Sequence, residues 1–440
     1  MTPKTLTSFS ALSFLALFGC EADSESPITM NNIVNIENSA GCCGCEDEDP
    51  CETDDPCSDD DTGEPGDTGI VDEFCDFEDS VGAELDLEVS KVDVAFLLDT
   101  TCSMSAEAAA MADEFSALVD DLESTVSDAA YGFATFDDYN YGSMGAGADR
   151  PFILQQQVTT DEYDVQSALD GVVIHSGIDS PESSMEGLYQ GLTGIGYDQI
   201  NDSIFDATTD VMPFMASAAD PFGGTAGGSM DSATVGGGTY GGYGFRDGSL
   251  PVIVYATDNY LRDPDAGYAV PPDANFTAGE SDVIDATSDM GARLIGVATQ
   301  SSIPVTQMDQ LAVATGSLYA GDSDGLVDDP LVFTWTGSSA AFRETIVDAI
   351  EAMLDNVTFA EVTAEVDGNV WGFTTNVSPS SYTNVTVGAD PVSLGFSVSV
   401  SGTFPASDVD QTYPMTLNIY GDGTTLLGTQ DITVVVPACL

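Results

Sequence analysis

The sequence predicts an α/β protein, with a doubly wound, mostly parallel sheet over residues 92–356 and a β-sandwich over residues 357–440. Three observations predict this fold. In the first region, nearly continuous apolar runs alternate with segments whose apolar residues recur at helical spacing, as in sheets covered by helices on both faces. In the second region the helical spacing stops. Short runs of alternating apolar and polar residues follow, separated by turn residues, which is typical of a sandwich.

Each element is assigned from its own stretch of sequence. The strands expected in the first sheet are residues 92–98, 131–136, 151–158, 251–256 and 293–298, with a last short strand at 317–320. The helices expected around it are residues 104–126, 164–173, 182–192, 283–290 and 340–354. The strands expected in the sandwich are residues 359–366, 382–387, 396–400, 415–420 and 432–436. Because strands alternate with helices in the first region, its sheet is expected to be parallel.

The segment at residues 85–91 has a different pattern from the buried strand that follows it. Leu85, Leu87 and Val89 alternate with acidic residues, which indicates a strand with one solvated face. The C-terminal region shows the same alternation. We therefore expect this strand to join the sandwich, and an edge position in the parallel sheet is the alternative.

The charge of the chain excludes some partners. Lys and Arg total 7 and Asp and Glu total 75, which gives a formal net charge of -68. Such a surface repels phosphate backbones, so nucleic acid is excluded as a partner, and an anionic membrane surface is unattractive without an anchor. Divalent cations and basic protein surfaces are favoured. The alternative is that the charge only keeps an exposed protein soluble.

Residues 1–19 resemble a bacterial lipoprotein signal peptide. A short basic stretch precedes an apolar run that is too short to span a bilayer as a helix. The run ends in Gly19 and Cys20, which resembles a lipobox, although Phe18 is bulkier than the usual residue. We expect a lipid anchor on Cys20 and a place in the cell envelope, at the outer membrane or the cell surface. Ordinary secretory cleavage, with loss of Cys20, is the alternative.

Residues 20–80 are expected to form an acidic, largely disordered tether, since Asp and Glu runs dominate them and few aromatic residues interrupt these runs. The cysteines at residues 42–57 crowd into this segment. Because an exported chain meets an oxidising compartment, we expect disulfides there. A metal cluster on the dithiol of Cys43 and Cys45 is the alternative.

Polar side chains follow two of the expected parallel strands. Asp99, Thr101 and Ser103 come directly after the strand at 92–98, and Asp258 follows the strand at 251–256. Ligands bind at the carboxyl edge of open α/β sheets, where these ends meet. One carboxylate and two hydroxyls at alternating positions of one loop form a hard-oxygen set that suits Mg²⁺, or Mn²⁺ or Ca²⁺.

These motifs resemble the von Willebrand factor A family, and the resemblance covers about residues 92–355. Residues 93–104 resemble its metal-ion-dependent adhesion site strand, D-x-S/T-x-S, with Cys102 where Gly is common. Residues 179–183 resemble the D-x-P-E segment of the integrin β-subunit-like branch, and residues 252–258 resemble the strand before the third metal loop. We expect Cys102 itself to be a buried, inert thiol, since free Cys behaves as a small hydrophobe.

The resemblance implies a role for each matched residue. The ion would be held, directly or through water, by Asp99, Thr101, Ser103 and Glu182, with Asp258 accepting hydrogen bonds from metal-bound water. Asp179 is the alternative to Glu182 in the second loop. Mg²⁺, or Mn²⁺ or Ca²⁺, would be the cofactor. The open coordination position would take an acidic side chain of a partner protein.

The integrin-like branch also implies a flanking cation site. Here Asp138, Asp179, the Pro181 carbonyl and Glu182 would form it. An Asn that is usual shortly before the Asp179 position has no counterpart, because Gly177 and Ile178 stand there. A plain turn at the end of the strand is the alternative for Asp138.

Integrin β subunits embed their A-type domain in a β-sandwich, which implies the same insertion for residues 92–356 here. Cys75 and Cys439 would then lie near the two ends of one domain and could form a disulfide. The alternative pairs Cys75 with a cysteine of the tether and leaves Cys439 free or paired elsewhere.

No motif of a catalytic site is present, and His175 is the only histidine. A catalytic zinc site needs several His or Cys ligands, and neither H-E-x-x-H nor G-x-S-x-G nor a P-loop occurs. We therefore expect a non-enzymatic protein that binds a protein ligand through a metal ion in adhesion at the cell surface. The alternatives are a structural surface lipoprotein with constitutive contacts and an acidic calcium-binding surface protein.

Overall fold

The computed structural model describes residues 74–206, 208–214, 239–321, 326–388 and 392–439. The expected signal peptide, the lipidation site at Cys20 and the tether up to residue 73 lie outside these residues.

Strands and helices follow one another along most of the described chain. The strands are β1 (Phe74–Leu87), β2 (Lys91–Asp99), β3 (Asp128–Phe136), β4 (Ile153–Thr159), β5 (Thr239–Tyr240), β6 (Phe245–Arg246), β7 (Leu250–Thr257), β8 (Arg293–Thr299), β9 (Leu318–Tyr319), β10 (Asp329–Pro330), β11 (Val332–Trp335), β12 (Asn356–Asp367), β13 (Thr374–Ser378), β14 (Ser381–Gly388), β15 (Val392–Pro405), β16 (Gln411–Gly421) and β17 (Thr425–Val436). The helices are α1 (Ser105–Leu122), α2 (Glu162–Asp170), α3 (Ser184–Thr193), α4 (Glu280–Met290), α5 (Val305–Thr315) and α6 (Ser339–Leu354).

Six strands form a sheet in the order β11-β8-β7-β2-β3-β4. All neighbours in it are parallel except β4, which pairs antiparallel with β3 at one edge. The prediction of a mixed α/β chain with a mostly parallel sheet is therefore confirmed. Strand β2 lies in the middle, so its carboxyl end at Asp99 lies between the ends of β3 and β7.

Strand β2 carries apolar side chains on both faces, because helices cover both faces of the sheet. Val94 and Phe96 belong to the core shared with α1, α2 and α6, whereas Ala95 and Leu97 belong to the core shared with α3, α4 and α5. Each apolar side chain that is fully buried in this way contributes about 1.5–3 kcal/mol to the free energy of folding. The sheet therefore forms a firm base for the loops at its edge.

The C-terminal region contains two antiparallel sheets, in the orders β1-β15-β13 and β14-β12-β16-β17, which are consistent with a β-sandwich. Strand β1 pairs with β15 along its whole length, with Leu85 opposite Leu394. The segment at 85–91 thus lies next to the C-terminal strands, but its predicted bounds are wrong. The strand begins at Phe74, inside the segment assigned to the tether, and ends at Leu87.

The last strand of the parallel sheet was predicted at the wrong place. Residues 318–319 form β9, which pairs with β10 outside the sheet, and β11 is the strand that continues the sheet beside β8. Helix α5 and strand β13 were not predicted. Strand β11 spans only Val332–Trp335 at an edge, so it carries too few residues for a periodicity.

Cys75 and Cys439 form a disulfide, with 6.4 Å between their Cα atoms. It joins the start of β1 to the chain beyond β17. Among the described residues, no helix is both long enough and apolar enough to cross a membrane.

Candidate metal centre

Four loops meet at the carboxyl edge of the parallel sheet. They follow β2, β3 and β7 and precede α3, and backbone hydrogen bonds join them. The Thr100 amide donates to the Phe136 carbonyl at 2.9 Å, and the Ser183 amide donates to the Asp137 carbonyl at 3.0 Å. The positions of the candidate ligands are therefore set by backbone as well as by side chains.

Asp99 lies at the centre of this edge and is fully buried. Its Oδ1 accepts hydrogen bonds from the amide and the hydroxyl of Thr101, each at 2.8 Å, and its Oδ2 accepts one from the Thr257 hydroxyl at 2.7 Å. The Thr101 and Ser103 hydroxyl oxygens lie 3.4 Å apart. The structure thus brings together the three residues that the motif predicts in the first loop.

Asp258 lies beside the same group. Its Oδ1 accepts a hydrogen bond from the Ser103 hydroxyl at 3.1 Å. Ser103 is exposed and Asp258 is half-buried, so the site opens to solvent on this side.

Glu182 lies on the inner side of the site, where it is buried. Its amide donates to the Tyr260 carbonyl at 3.0 Å, and its carbonyl accepts from the Arg262 amide at 2.8 Å. Its Oε1 accepts a hydrogen bond from the Asn259 side-chain amide at 2.9 Å. Its Oε2 is buried and accepts no hydrogen bond from the described residues, and the Asp138 carboxylate lies close to the Glu182 side chain. A buried carboxylate oxygen without a partner is costly, and a cation would satisfy it.

The clustered acids hold protons more tightly than isolated ones. Burial, together with the negative charges of Asp99 and Asp138, raises the pKa of Glu182 to about 10. Burial raises the pKa of Asp99 to about 7, although the hydrogen bonds from Thr257 and Thr101 oppose this shift. A cation at this point would reverse the balance, because it stabilises the charged forms.

The residues of the predicted flanking site also come together, and Arg262 lies among them. Its Nη2 donates to Asp138 Oδ1 at 3.3 Å, to Asp179 Oδ1 at 2.5 Å and to the Pro181 carbonyl at 2.5 Å. The Arg262 side chain is buried, with 2% exposed. A guanidinium thus stands where the resemblance places a second ion, and an ion there would have to displace it. Burial still raises the pKa of Asp138 to about 7, although the charge of Arg262 opposes the shift.

Three residues at this edge were not identified from the sequence. Thr257 and Asn259 are hydrogen-bond partners of Asp99 and Glu182, and Arg262 is the partner of Asp179. Their role was weakly indicated by the sequence, because they lie just after the strand at 251–256, whose end was already assigned to the site. Arg262 is also one of only 7 basic residues in the chain.

The expectation of a buried Cys102 is wrong. Its side chain is exposed, and it forms no disulfide with another described cysteine. The reason is local, since residues Cys102–Met104 form a 3-10 turn that directs Met104 into the core and leaves Cys102 at the surface.

The donor set fits a hard divalent cation. Carboxylate and hydroxyl oxygens of Asp99, Thr101, Ser103, Glu182 and Asp258 form the site, and Glu182 offers an oxygen without a partner. Mg²⁺, Mn²⁺ and Ca²⁺ prefer such oxygen ligands.

No protein-family model matches the chain, and no curated protein is similar to it. Among solved structures, the chain is similar to proximal thread matrix protein 1 from the mussel byssus, at 12% identity and a TM-score of 0.33, over 64% of this chain and 51% of that one. It is also similar to the pilus adhesin SpaC from Lactobacillus rhamnosus GG in an open conformation, at 10% identity and a TM-score of 0.34, over 85% of this chain and 48% of that one. The chain spans about half the length of these proteins. Similarity at this level carries no inference about function.

Proposed function

We propose that this chain is a von Willebrand factor A-type protein that binds a protein ligand through a metal ion and performs no catalysis. The observation that carries the proposal is the buried Glu182 carboxylate beside Asp99, with one oxygen that no described group satisfies. Two such acids at the end of a parallel sheet, in a loop with the D-x-T-x-S pattern, are best explained by a cation between them.

In this proposal Mg²⁺ is held by Asp99, Thr101, Ser103 and Glu182, with Asp258 accepting from a metal-bound water. Mn²⁺ and Ca²⁺ are the alternatives. Two contacts support Glu182 over Asp179 as the second-loop ligand. Glu182 is buried close to Asp99, whereas Asp179 is bound to Arg262. Arg262 also supplies a positive charge at the flanking position, so one Mg²⁺ ion per chain is expected at this edge.

The partner group is proposed to be an acidic side chain. The site opens to solvent near Ser103, so a coordination position can face outward. Mg²⁺ keeps several waters when protein ligands are few, and a carboxylate can replace one of them. A chain of net charge -68 repels an acidic partner elsewhere on its surface, so such a contact depends on the ion.

Capture of envelope proteins by the immobilised full chain tests this function. We expect capture in Mg²⁺, loss in EDTA and loss in Asp99→Ala, with no loss in Asp113→Ala, which removes one exposed carboxylate from α1. Capture that survives EDTA would favour a structural lipoprotein with constitutive contacts. Calcium binding that disappears with deletion of residues 46–72 would favour the acidic calcium-binding alternative.

Attachment to the membrane through a lipid on Cys20 is part of the proposal and rests on the sequence motif alone. We predict that Cys20→Ser moves the protein from the membrane pellet to the soluble envelope fraction or the medium. A mutant that stays in the pellet after a high-salt wash would show that lipidation is not what holds it.

A further inference from the structure

A second group of ligand atoms lies near the candidate centre but shares no residue with it. Asp137, which follows β3, Asp149, which precedes β4, and His175, which precedes α3, each bring one ligand atom within 4.8 Å of the other two. We propose that these three side chains form a site for a borderline divalent cation such as Zn²⁺. The inference does not depend on the proposed function.

Two of the ligands are already oriented. His175 Nδ1 lies 2.7 Å from Asp137 Oδ2, and Asp137 Oδ1 accepts a hydrogen bond from the Thr100 hydroxyl at 2.7 Å. The His175 amide donates to the Thr100 carbonyl at 2.8 Å. Such supporting contacts fix the direction in which ligands face, and they strengthen metal binding.

Asp149, the third proposed ligand, independently indicates a cation. Asp149 is fully buried. Its Oδ2 accepts a hydrogen bond from the Ala146 amide at 2.5 Å, and the Gly177 amide also lies close to the carboxylate. No hydrogen bond of normal geometry from the described residues reaches its Oδ1. Burying a carboxylate oxygen without a partner is costly, and an ion shared with His175 and Asp137 would remove that cost.

The ligand types select the ion. One imidazole nitrogen and two carboxylates suit Zn²⁺ and its transition-metal neighbours, whereas Mg²⁺ prefers oxygen alone. Tetrahedral bonds of about 2.1 Å separate ligand atoms by about 3.4 Å. The gap between His175 and Asp137 must therefore open slightly from 2.7 Å. When Zn²⁺ binds, Nδ1 gives up its proton to solvent and donates the freed lone pair to the ion, and the neutral metal-bound ring carries its one proton on Nε2.

The site is open to solvent through His175, whose side chain is 16% exposed. An ion can therefore enter beside the ring, and water can complete the fourth position of a tetrahedron. With three protein ligands and one open position, the arrangement resembles an open zinc site rather than a closed structural one.

The single histidine makes the test specific. The full chain, labelled with ¹⁵N-histidine and saturated with Mg²⁺, is titrated with Zn²⁺ and followed by NMR. We expect the Nδ1 resonance of His175 to move to the metal-bound range and to saturate. Zinc bound to the tether cysteines leaves this signal unchanged. Asp149→Asn is expected to weaken the transition at least tenfold, and Asp273→Asn, at an exposed position, leaves it unchanged.

The proposal would be overturned if the Nδ1 resonance of the wild-type chain does not change during the titration and remains typical of a ring that is hydrogen-bonded to a carboxylate. This outcome can be observed whether or not Asp149→Asn folds. Equal zinc affinity in Asp149→Asn and Asp273→Asn would overturn the proposal as well. Asp99→Ala separates the two sites, since it removes the proposed Mg²⁺ centre and is expected to leave the zinc-dependent shift of His175 intact.

Discussion

Two buried glutamates four residues apart, Glu182 and Glu186, differ in their hydrogen-bond partners, and this difference indicates different roles. Glu186 accepts hydrogen bonds from the Tyr139 hydroxyl at 3.2 Å, the Gln190 amide at 2.9 Å and the Ala278 amide at 2.8 Å. Glu182 accepts one hydrogen bond and faces two other acids. Glu186 is a structural group whose oxygens are satisfied, and Glu182 is a proposed ligand of the cation.

We predict that Glu182→Gln stabilises the metal-free protein and weakens Mg²⁺ binding. The folded-state pKa of Glu182 is raised to about 10 from 4.5, so the metal-free folded state holds a proton that the unfolded state has lost. Its contribution to stability is therefore present below pH 4.5 and is lost progressively as the pH rises towards 10. At pH 7.5 the substitution is expected to raise the free energy of unfolding by about 1–3 kcal/mol, because it removes this cost.

Urea unfolding in EDTA at several pH values measures this effect, with Glu186→Gln as the matched control. Burial raises the pKa of Glu186 as well, but its three hydrogen bonds oppose the shift. A Gln side chain keeps only one acceptor oxygen for donors that contact both, so the control is expected to lose about 1–3 kcal/mol. Equal destabilisation by the two substitutions would contradict the account of Glu182.

For individual residues, the sequence predicted which acids and hydroxyls lie close together. A D-x-T-x-S loop and an Asp that follows a neighbouring parallel strand must lie at the same edge of the sheet. The sequence could not predict Arg262. That residue reaches Asp179 from 83 positions away, through a loop whose path follows no periodicity.

At the scale of elements, the strands that follow one pattern over many residues were predicted well. Strand β2 is buried on both faces and reads as a continuous apolar run, so its position and its end at Asp99 follow from the sequence. The N-terminal half of β1 was not predicted from the sequence. Its acidic residues face solvent, and the strand is held in place by its pairing with β15. Pairing over a long separation leaves no local signal.

The loop that follows β2 has a close contact with the loop that precedes α3. Gly177 has a φ of 55°, and a Cβ atom there would lie 2.9 Å from the Cγ2 of Thr101. We predict that Gly177→Ala displaces Thr101 and lowers Mg²⁺ affinity about tenfold or more, since a small misplacement of a ligand disrupts the coordination.

Gly142→Ala is the matched control. Its φ is 62°, so the backbone strain of about 1–2 kcal/mol is similar, but no atom lies within 4 Å of the added Cβ. Calorimetric titration with Mg²⁺ compares the two variants. Equal affinities would show that the contact between Gly177 and Thr101 does not position the site.

At the scale of the whole molecule, one β region is built from both ends of the described chain. Strand β1 pairs with β15, and the disulfide between Cys75 and Cys439 joins residues 364 positions apart. Arg293 links the α/β region to the C-terminal sheets, donating to the Thr358 carbonyl at 2.7 Å and contacting Asp422. The alternation of apolar and acidic residues near Leu85, together with the resemblance to integrin β subunits, predicted a strand that joins the C-terminal sheets, but it did not predict the length of that strand.

We predict that removing the disulfide destabilises the fold without changing the metal site. Closing a loop of 364 residues restricts the unfolded chain by about 6 kcal/mol on the entropic model, as an upper value. The double substitution Cys75→Ser and Cys439→Ser is expected to lower the urea midpoint while Mg²⁺ affinity stays unchanged, because the site rests on the parallel sheet. Cys102→Ser, which removes a free exposed thiol, is the control. An equal midpoint in the double variant and the control would contradict the role of the disulfide.

Calorimetric titration of the full chain with Mg²⁺ tests whether a single Mg²⁺ site lies at the carboxyl edge of the parallel sheet. We predict one binding event per chain, distinct from weak association with surface acids. It should be absent in Asp99→Ala and unchanged in Asp113→Ala, and the metal-free Asp99→Ala chain should remain folded, because removing one of several clustered carboxylates relieves repulsion. Undiminished Mg²⁺ affinity in a folded Asp99→Ala chain would show that Mg²⁺ does not bind at this edge of the sheet.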